Sequence, residues 1–223
     1  MKDVDVQYSD KIILDGINWE VKKGERWSLS GSNGAGKSTL LSLINGDNPQ
    51  AYANEIYLFD NRRGSGESIW DIKRKIGYIS PELHLYFDTY ITAFDVVASG
   101  LFDTIGLFRL LNEEQVEKVE SWINLLQLQS LASQLLTNLP LGKQRLILLA
   151  RALVKNPPLL LLDEPAQGLD EEQTDLFKNI TEQICEHSNK TLIYVTHLKE
   201  EIPSCVTKFI RLEKGKIVEL NDQ

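Results

Sequence analysis

The eight residues Gly31 to Ser38, GSNGAGKS, restrict what this chain can fold into more than any other stretch. They match GxxxxGK[ST] at every fixed position, after an apolar strand candidate, RWSLS. A helical run, KSTLLSLIN, follows and closes on Asn45-Gly46, a C-cap pair. Glycines let successive backbone N–H groups curl round phosphate oxygens, and the helix N-terminus adds partial positive charge. Lys37 has the reach for β- and γ-phosphates, and the Ser38 hydroxyl suits a magnesium ion. A strand, loop and helix in this order belong to an α/β core.

The second half of the chain supplies matching parts. LLLLDE, residues 159–164, is an apolar run suited to a buried parallel strand. It delivers Asp163 to the carboxyl end, where α/β proteins bind ligands, and there Asp163 suits Mg²⁺ held through water. Glu164 follows as a base for an attacking water. TLIYVTH is a second buried strand ending in His197. On the residues alone, His197 reads more readily as a surface or satisfied core histidine than as a ligand. Tyr8 stands between two readings as well: an exposed ring stacking on a purine, or a core tyrosine on a strand.

Short apolar runs between turn residues, VDVQYSD, KIILDGINWEVKKGE and RWSLSG, predict antiparallel strands at the N-terminus. Two more strand candidates, EIYLF and KIGYIS, flank a Gly/Arg-rich loop, NRRGSGES. Residues 81–138 change texture. Their clearest segment, 112–128, places Val116, Val119, Ile123 and Leu126 on one helical face. A helix starts near Leu141 and stops at KNPP, since proline cannot continue it. A last helix begins after Asp170, with Gln173 placed for a capping box. The pattern predicts one domain over 1–223. Its α/β core comprises 1–80 and 139–223 with an N-terminal antiparallel β part, and 81–138 is a helical insert.

Charge and composition remove several classes. Lys and Arg number 24 against 32 Asp and Glu, a net charge of −8, which disfavours bulk attraction to nucleic acid. No apolar run approaches the ~18–20 residues that span a bilayer. The opening residues are too charged for a secretory signal, so a cytoplasmic protein is expected. Cys185 and Cys205 form no CxxC and read as two reduced thiols.

Taken in order, Tyr8, GSNGAGKST, a helical insert, LGKQRLILLARAL, LLLLDEPAQGLD and TH resemble the nucleotide-binding domain of ATP-binding cassette (ABC) proteins. The resemblance covers essentially the whole chain and implies a P-loop NTPase core with a parallel sheet and a small inserted helical subdomain. It implies ATP and Mg²⁺ as cofactors, with Gly31, Ser32, Asn33, Gly34, Ala35, Gly36, Lys37, Ser38 and Thr39 around the phosphates. Tyr8 matches the adenine-stacking position, Ser38 and Asp163 the metal site, Glu164 the catalytic base and His197 the γ-phosphate switch. Gly168, Leu169 and Asp170 match the D-loop. The stretch from Ser42 to Leu85 is further similar to the second cassette of tandem ATP-binding proteins associated with molybdate transport, also called photorepair proteins. Those carry two cassettes in one chain, and this sequence holds one.

Two positions depart from the family pattern. In such cassettes a signature of the type LSGGQ grips the γ-phosphate held by a facing cassette. Here Leu139 is followed by Pro140, Leu141, Gly142 and Lys143. Pro140 has neither hydroxyl nor N–H, so two donors vanish while the Gly142 amide remains. After IGYI the family carries a glutamine on the metal side, and this chain has Ser80-Pro81-Glu82. The resemblance therefore implies an ATPase with an intact pocket of its own and a weakened contribution to a partner's ATP. It implies a second cassette as partner, identical or different, and a membrane transport subunit on whose cytoplasmic face the chain sits. A soluble regulatory or mechanical ABC ATPase, or a slow-hydrolysing partner cassette, stands as the alternative.

Overall fold

Two strands with no polar face fix the centre of the molecule. In the computed structural model, which describes residues 1–222, β7 (Leu159–Asp163) and β8 (Thr191–Val195) are buried along almost all their length. Their alternate side chains feed two separate cores. Leu160, Leu162, Leu192 and Tyr194 join one, while Leu159, Leu161, Ile193 and Val195 join the other. This is the environment that a continuous apolar run requires.

The sheet runs β10–β9–β3–β8–β7–β6, with β3 at Arg26–Gly31, β6 at Ile76–Ile79, β9 at Lys208–Glu213 and β10 at Lys216–Asp222. Strands β6, β7, β8, β3 and β9 are parallel, and β10 returns antiparallel to β9. Register brings the functional ends level. Asp163 pairs with Val195, and Val195 with Leu29, two residues before Gly31.

At the N-terminus β1 (Val4–Tyr8) and β2 (Lys11–Ile17) form the expected antiparallel pair. RWSLSG does not join them. As β3 it lies between β8 and β9, with Trp27, Ser28 and Leu29 buried, which only a central strand provides. EIYLF is also shorter than its composition suggests. Tyr57–Leu58 (β4) pairs with Asn61–Arg62 (β5) across Phe59 and Asp60, whose φ values of 53° and 67° are those a tight hairpin turn demands. Arg63 turns inward from the Gly/Arg-rich loop onto Glu67 at 3.0 Å.

Helix α1 (Lys37–Ile44) covers one face of the sheet with Leu40, Leu41, Leu43 and Ile44. The other face carries α5 (Leu141–Leu153) and α6 (Glu171–Ser188), whose Phe177 is fully buried, and helices from the 81–138 region. The short α2 (Ile69–Lys73) precedes β6. Within 81–138 lie α3 (Ala93–Ser99) and α4 (Glu113–Leu125), with short 3₁₀ turns at Leu83–Tyr86 before them and at Gln129–Leu131 and Leu136–Asn138 after them. On α4 and its cap Val119, Ile123 and Leu126 are buried as the periodicity predicts, with Val116 half-buried. Asn112 and Gln115 close a capping box at its start that the sequence reading passed over.

The box expected at α6 forms only by half. Asp170 accepts from the Gln173 amide at 2.8 Å, but the Gln173 side chain lies against Gly142. Cys185 and Cys205 are free, buried and hydrogen-bonded to each other, and this contact together with burial pushes the Cys185 thiol up. No helix among the described residues is long and apolar enough to cross a membrane.

Candidate functional site

The loop from Gly31 to Gly36 is fixed by close packing as much as by its own turns. Gly36 sits at φ 106°, and a Cβ there would lie 2.7 Å from Leu14 Cδ2 and 2.9 Å from the Ile13 carbonyl oxygen. The β9–β10 turn locks the same loop from outside. The Gly215 amide donates to the Ala35 carbonyl at 3.0 Å, and the Gly215 carbonyl accepts from Asp15 N–H at 2.9 Å. Gly215 has φ 81°, and a Cβ would meet Ile13 O at 2.5 Å, so glycine is required there too. The sequence reading stopped short of this turn.

Lys37 is buried, and its ammonium donates to Gly31 O at 2.8 Å and Ser32 O at 3.2 Å. The side chain is thus folded over the loop. Ser32, Asn33, Gly34 and Ser38 face solvent, Ala35 is buried and Thr39 is half-buried. The loop presents exposed backbone at its tip and a lysine within, as a phosphate cradle needs.

Beside it, β7 ends on Asp163. Burial, and then the charge of Glu164, push its carboxyl up to about 6, while Lys37 pulls the other way. A carboxylate held at that cost suits a divalent cation. Among the described residues no three acidic, His or Cys side chains gather as a self-sufficient metal cage. Magnesium ordinarily takes one or two protein oxygens and completes its shell with water and phosphate. Asp163 and the Ser38 hydroxyl are the residues that fit this role.

Glu164 has φ 40°, a strained value for a non-glycine residue. Its amide donates to Val195 O at 2.9 Å, which ties it to the end of β8. His197, two residues beyond Val195, places Nδ1 3.3 Å from Glu164 Oε1. His197 is therefore an exposed partner of the acid, not a core residue.

Tyr8 is resolved as the exposed alternative, with half its surface free. Its hydroxyl accepts from Asn48 Nδ2 at 2.9 Å, and the same amide donates to Ser42 Oγ on α1 at 3.1 Å. Asn48, buried and unremarked in the sequence, thus sets the ring's place relative to the phosphate-loop helix.

The turn from Leu139 to Lys143 lies with the other core. Leu139 packs in the cluster of α5 and α6, whereas Ala35 of the phosphate loop packs in the cluster of α1. Pro140 caps α5 without any side-chain hydrogen bond, and its carbonyl accepts from Lys143 N–H at 2.9 Å and Gln144 N–H at 3.0 Å. Pro140 and Lys143 are exposed, and Leu141 and Gly142 half-buried. A Cβ on Gly142 would lie 2.6 Å from Gln173 Oε1, and one on Gly168 3.0 Å from Leu141 Cδ2. So the 139–143 turn and the 168–173 segment, with Asp170 exposed at its helix start, form one surface.

Arg145, which the sequence did not single out, is buried one turn into α5. It donates to the carbonyls of Pro81 at 2.8 Å, Ser80 at 3.4 Å and Gln167 at 3.4 Å. Glu82 stands next to this anchor and accepts from the Tyr86 hydroxyl at 3.4 Å.

Comparison with known proteins agrees with this geometry. The family model described as "ABC transporter" matches residues 14–167. The ABC transporter ATP-binding protein ModF of Escherichia coli is 45% identical over 203 residues, 91% of this chain and 41% of that protein. An uncharacterized ABC transporter ATP-binding protein of Schizosaccharomyces pombe is 34% identical over 98% of this chain and 45% of its own length. The chain thus spans less than half the length of these two relatives. Among solved structures, a dimeric post-hydrolysis state of the ATP-binding cassette MJ0796, bound to ADP and Pi, superposes with a TM-score of 0.80. It is 24% identical, with 99% of this chain and 97% of that one covered. Cassettes of this kind are ATPases. With its phosphate loop, acid-ended central strands and matched sequence, the chain belongs to the ABC transporter family of ATP-binding cassettes.

Proposed function

We propose that this chain binds MgATP between Tyr8, the Gly31–Thr39 loop and Asp163, and hydrolyses it on closing against a second cassette. The observation that carries this reading is the convergence of Lys37, Asp163 and the Glu164–His197 pair at the level carboxyl ends of β3, β7 and β8. Lys37 and the loop amides hold the phosphates, and the Tyr8 ring stacks on the base. Magnesium, when bound by Ser38 and Asp163, supplies positive charge against the phosphate oxygens. With His197 Nδ1–H on Oε1, Glu164 keeps Oε2 free to take the proton of an attacking water.

The 139–143 turn gives a facing cassette less than a serine-bearing turn does. Pro140 offers no donor, and loss of one transition-state donor typically lowers rate ~10²–10³-fold. A pair of identical chains is therefore a slow ATPase, and pairing with a cassette that carries the missing hydroxyl restores speed at one site. Coupling to a membrane subunit on its cytoplasmic face is the favoured setting. Leu85, Tyr86 and Tyr90, exposed just beyond Pro81, offer such a subunit an apolar foothold. A Listeria innocua relative, 32% identical over 96% of this chain, is named a zinc uptake system ATP-binding protein. The altered turn also favours a second reading, a partner cassette that binds ATP and seldom turns it over.

Glu164→Gln separates these readings. Nucleotide titration should show MgATP bound by wild type and variant alike, with wild-type turnover slow and the variant's lower by ~10²-fold or more. Sizing should show dimer accumulating with ATP in the variant if the altered turn still closes. No ATP binding by wild type would sink the proposal. Binding without any wild-type turnover would leave the second reading.

A further inference from the structure

A planar guanidinium has five donors in a fixed fork and spans two acceptors without bending either. Arg145 uses that fork on backbone alone. Nη1 reaches Pro81 O and Ser80 O, and Nη2 reaches Gln167 O, while Nε has no partner among the described residues. Its side chain is buried, so a shift of either segment cannot be answered by water. Both segments lead somewhere. The Gln167 amide donates to the Glu164 carbonyl at 3.1 Å, one step from the catalytic pair. Ser80-Pro81 leads into the exposed Leu85, Tyr86 and Tyr90, with the Leu83 amide held on Ser80 O at 3.2 Å. Pro81 stiffens the link by fixing its own φ.

We propose that Arg145 is a positioning residue that transmits the state of the nucleotide pocket to the 80–90 segment, where the family's glutamine is replaced by Ser80-Pro81-Glu82. The proposal rests on the ATP-binding reading above. Movement of the 164–167 loop on nucleotide binding carries Gln167 O, and Arg145 carries Pro81 with it. A side chain serving only to hold α5 in place needs no such pair of distant carbonyls.

The test is amide hydrogen exchange on the whole chain with and without MgATP, in wild type, Arg145→Leu and Arg145→Lys. In wild type, ATP should slow exchange in peptides from 31–44 and change it in peptides from 80–90. Arg145→Leu should keep the first response and lose the second, and Arg145→Lys, whose single ammonium cannot span both carbonyls, should weaken it. If Arg145→Leu unfolds, the lysine variant decides alone. Steady-state turnover should fall about tenfold in kcat with KM unchanged. A full 80–90 response in a variant whose 31–44 response is intact would overturn the role of Arg145 and leave ATP binding standing. A silent 31–44 region in wild type would overturn the ATP-binding reading itself, and this inference with it.

Discussion

Asp163→Asn should make the nucleotide-free protein more stable and the enzyme inactive. Burial and the neighbouring Glu164 lift the Asp163 carboxyl from its ordinary 3.8 to about 6. The native state therefore binds this proton more tightly than the unfolded chain does. Between about pH 4 and pH 6 stability falls as pH rises, and above pH 6 the whole cost is present. At about 1.4 kcal/mol per pH unit, the cost near pH 7.5 is on the order of 2–3 kcal/mol. Asparagine keeps the shape and removes the charge. Urea unfolding at pH 7.5 should show a higher midpoint with an unchanged slope, and for a domain of this size Tm should rise by roughly 4–12 °C. The gap between variant and wild type should close as pH approaches 4, where wild-type Asp163 is protonated. MgATP at a thousand times Kd should reverse the order, because it stabilises wild type by about 4.1 kcal/mol. A variant no more stable than wild type at pH 7.5, or a gap that ignores pH, would refute the reasoning.

Changes at two other residues address binding and partnership. Pro140→Ser restores a hydroxyl and an N–H at the start of α5, so turnover of the homodimer should rise by ~10²–10³-fold, measured by phosphate release. An unchanged rate in a variant that still dimerises with ATP would remove Pro140 as the cause of slowness. Tyr8→Ala should weaken ATP binding by ~1–3 kcal/mol, read by nucleotide titration. Tyr8→Phe loses only the Asn48 hydrogen bond and should bind nearly as wild type. Equal losses in the two would show that the ring does not stack.

The phosphate loop was legible because its chemistry is local. Glycines, Lys37 and Ser38 occupy fixed spacings, and the strand and helix around them carry their own periods. LLLLD and TLIYV were legible for a related reason, since a strand buried on both faces has no polar side to display. RWSLSG was misplaced among the N-terminal strands because its neighbours in sequence are not its neighbours in the sheet. Nothing local distinguishes a strand that pairs at residues 192–195 and 208–212 from one that pairs at 11–17.

By itself, then, the sequence determined the class of the chain and the spacing of the glycines, Lys37 and Ser38 in its Gly31–Ser38 loop. Tertiary structure alone decided how those residues meet. Register set Asp163, Val195 and Leu29 level. The return of the last hairpin put Gly215 against Ala35, and an unremarked Asn48 placed the Tyr8 ring. The fork of Arg145 joined Pro81 to Gln167 across 86 positions of chain. Register and the Gly215–Ala35 bond join backbone to backbone, and the Arg145 fork ends on backbone carbonyls, groups that leave no mark in an amino-acid sequence.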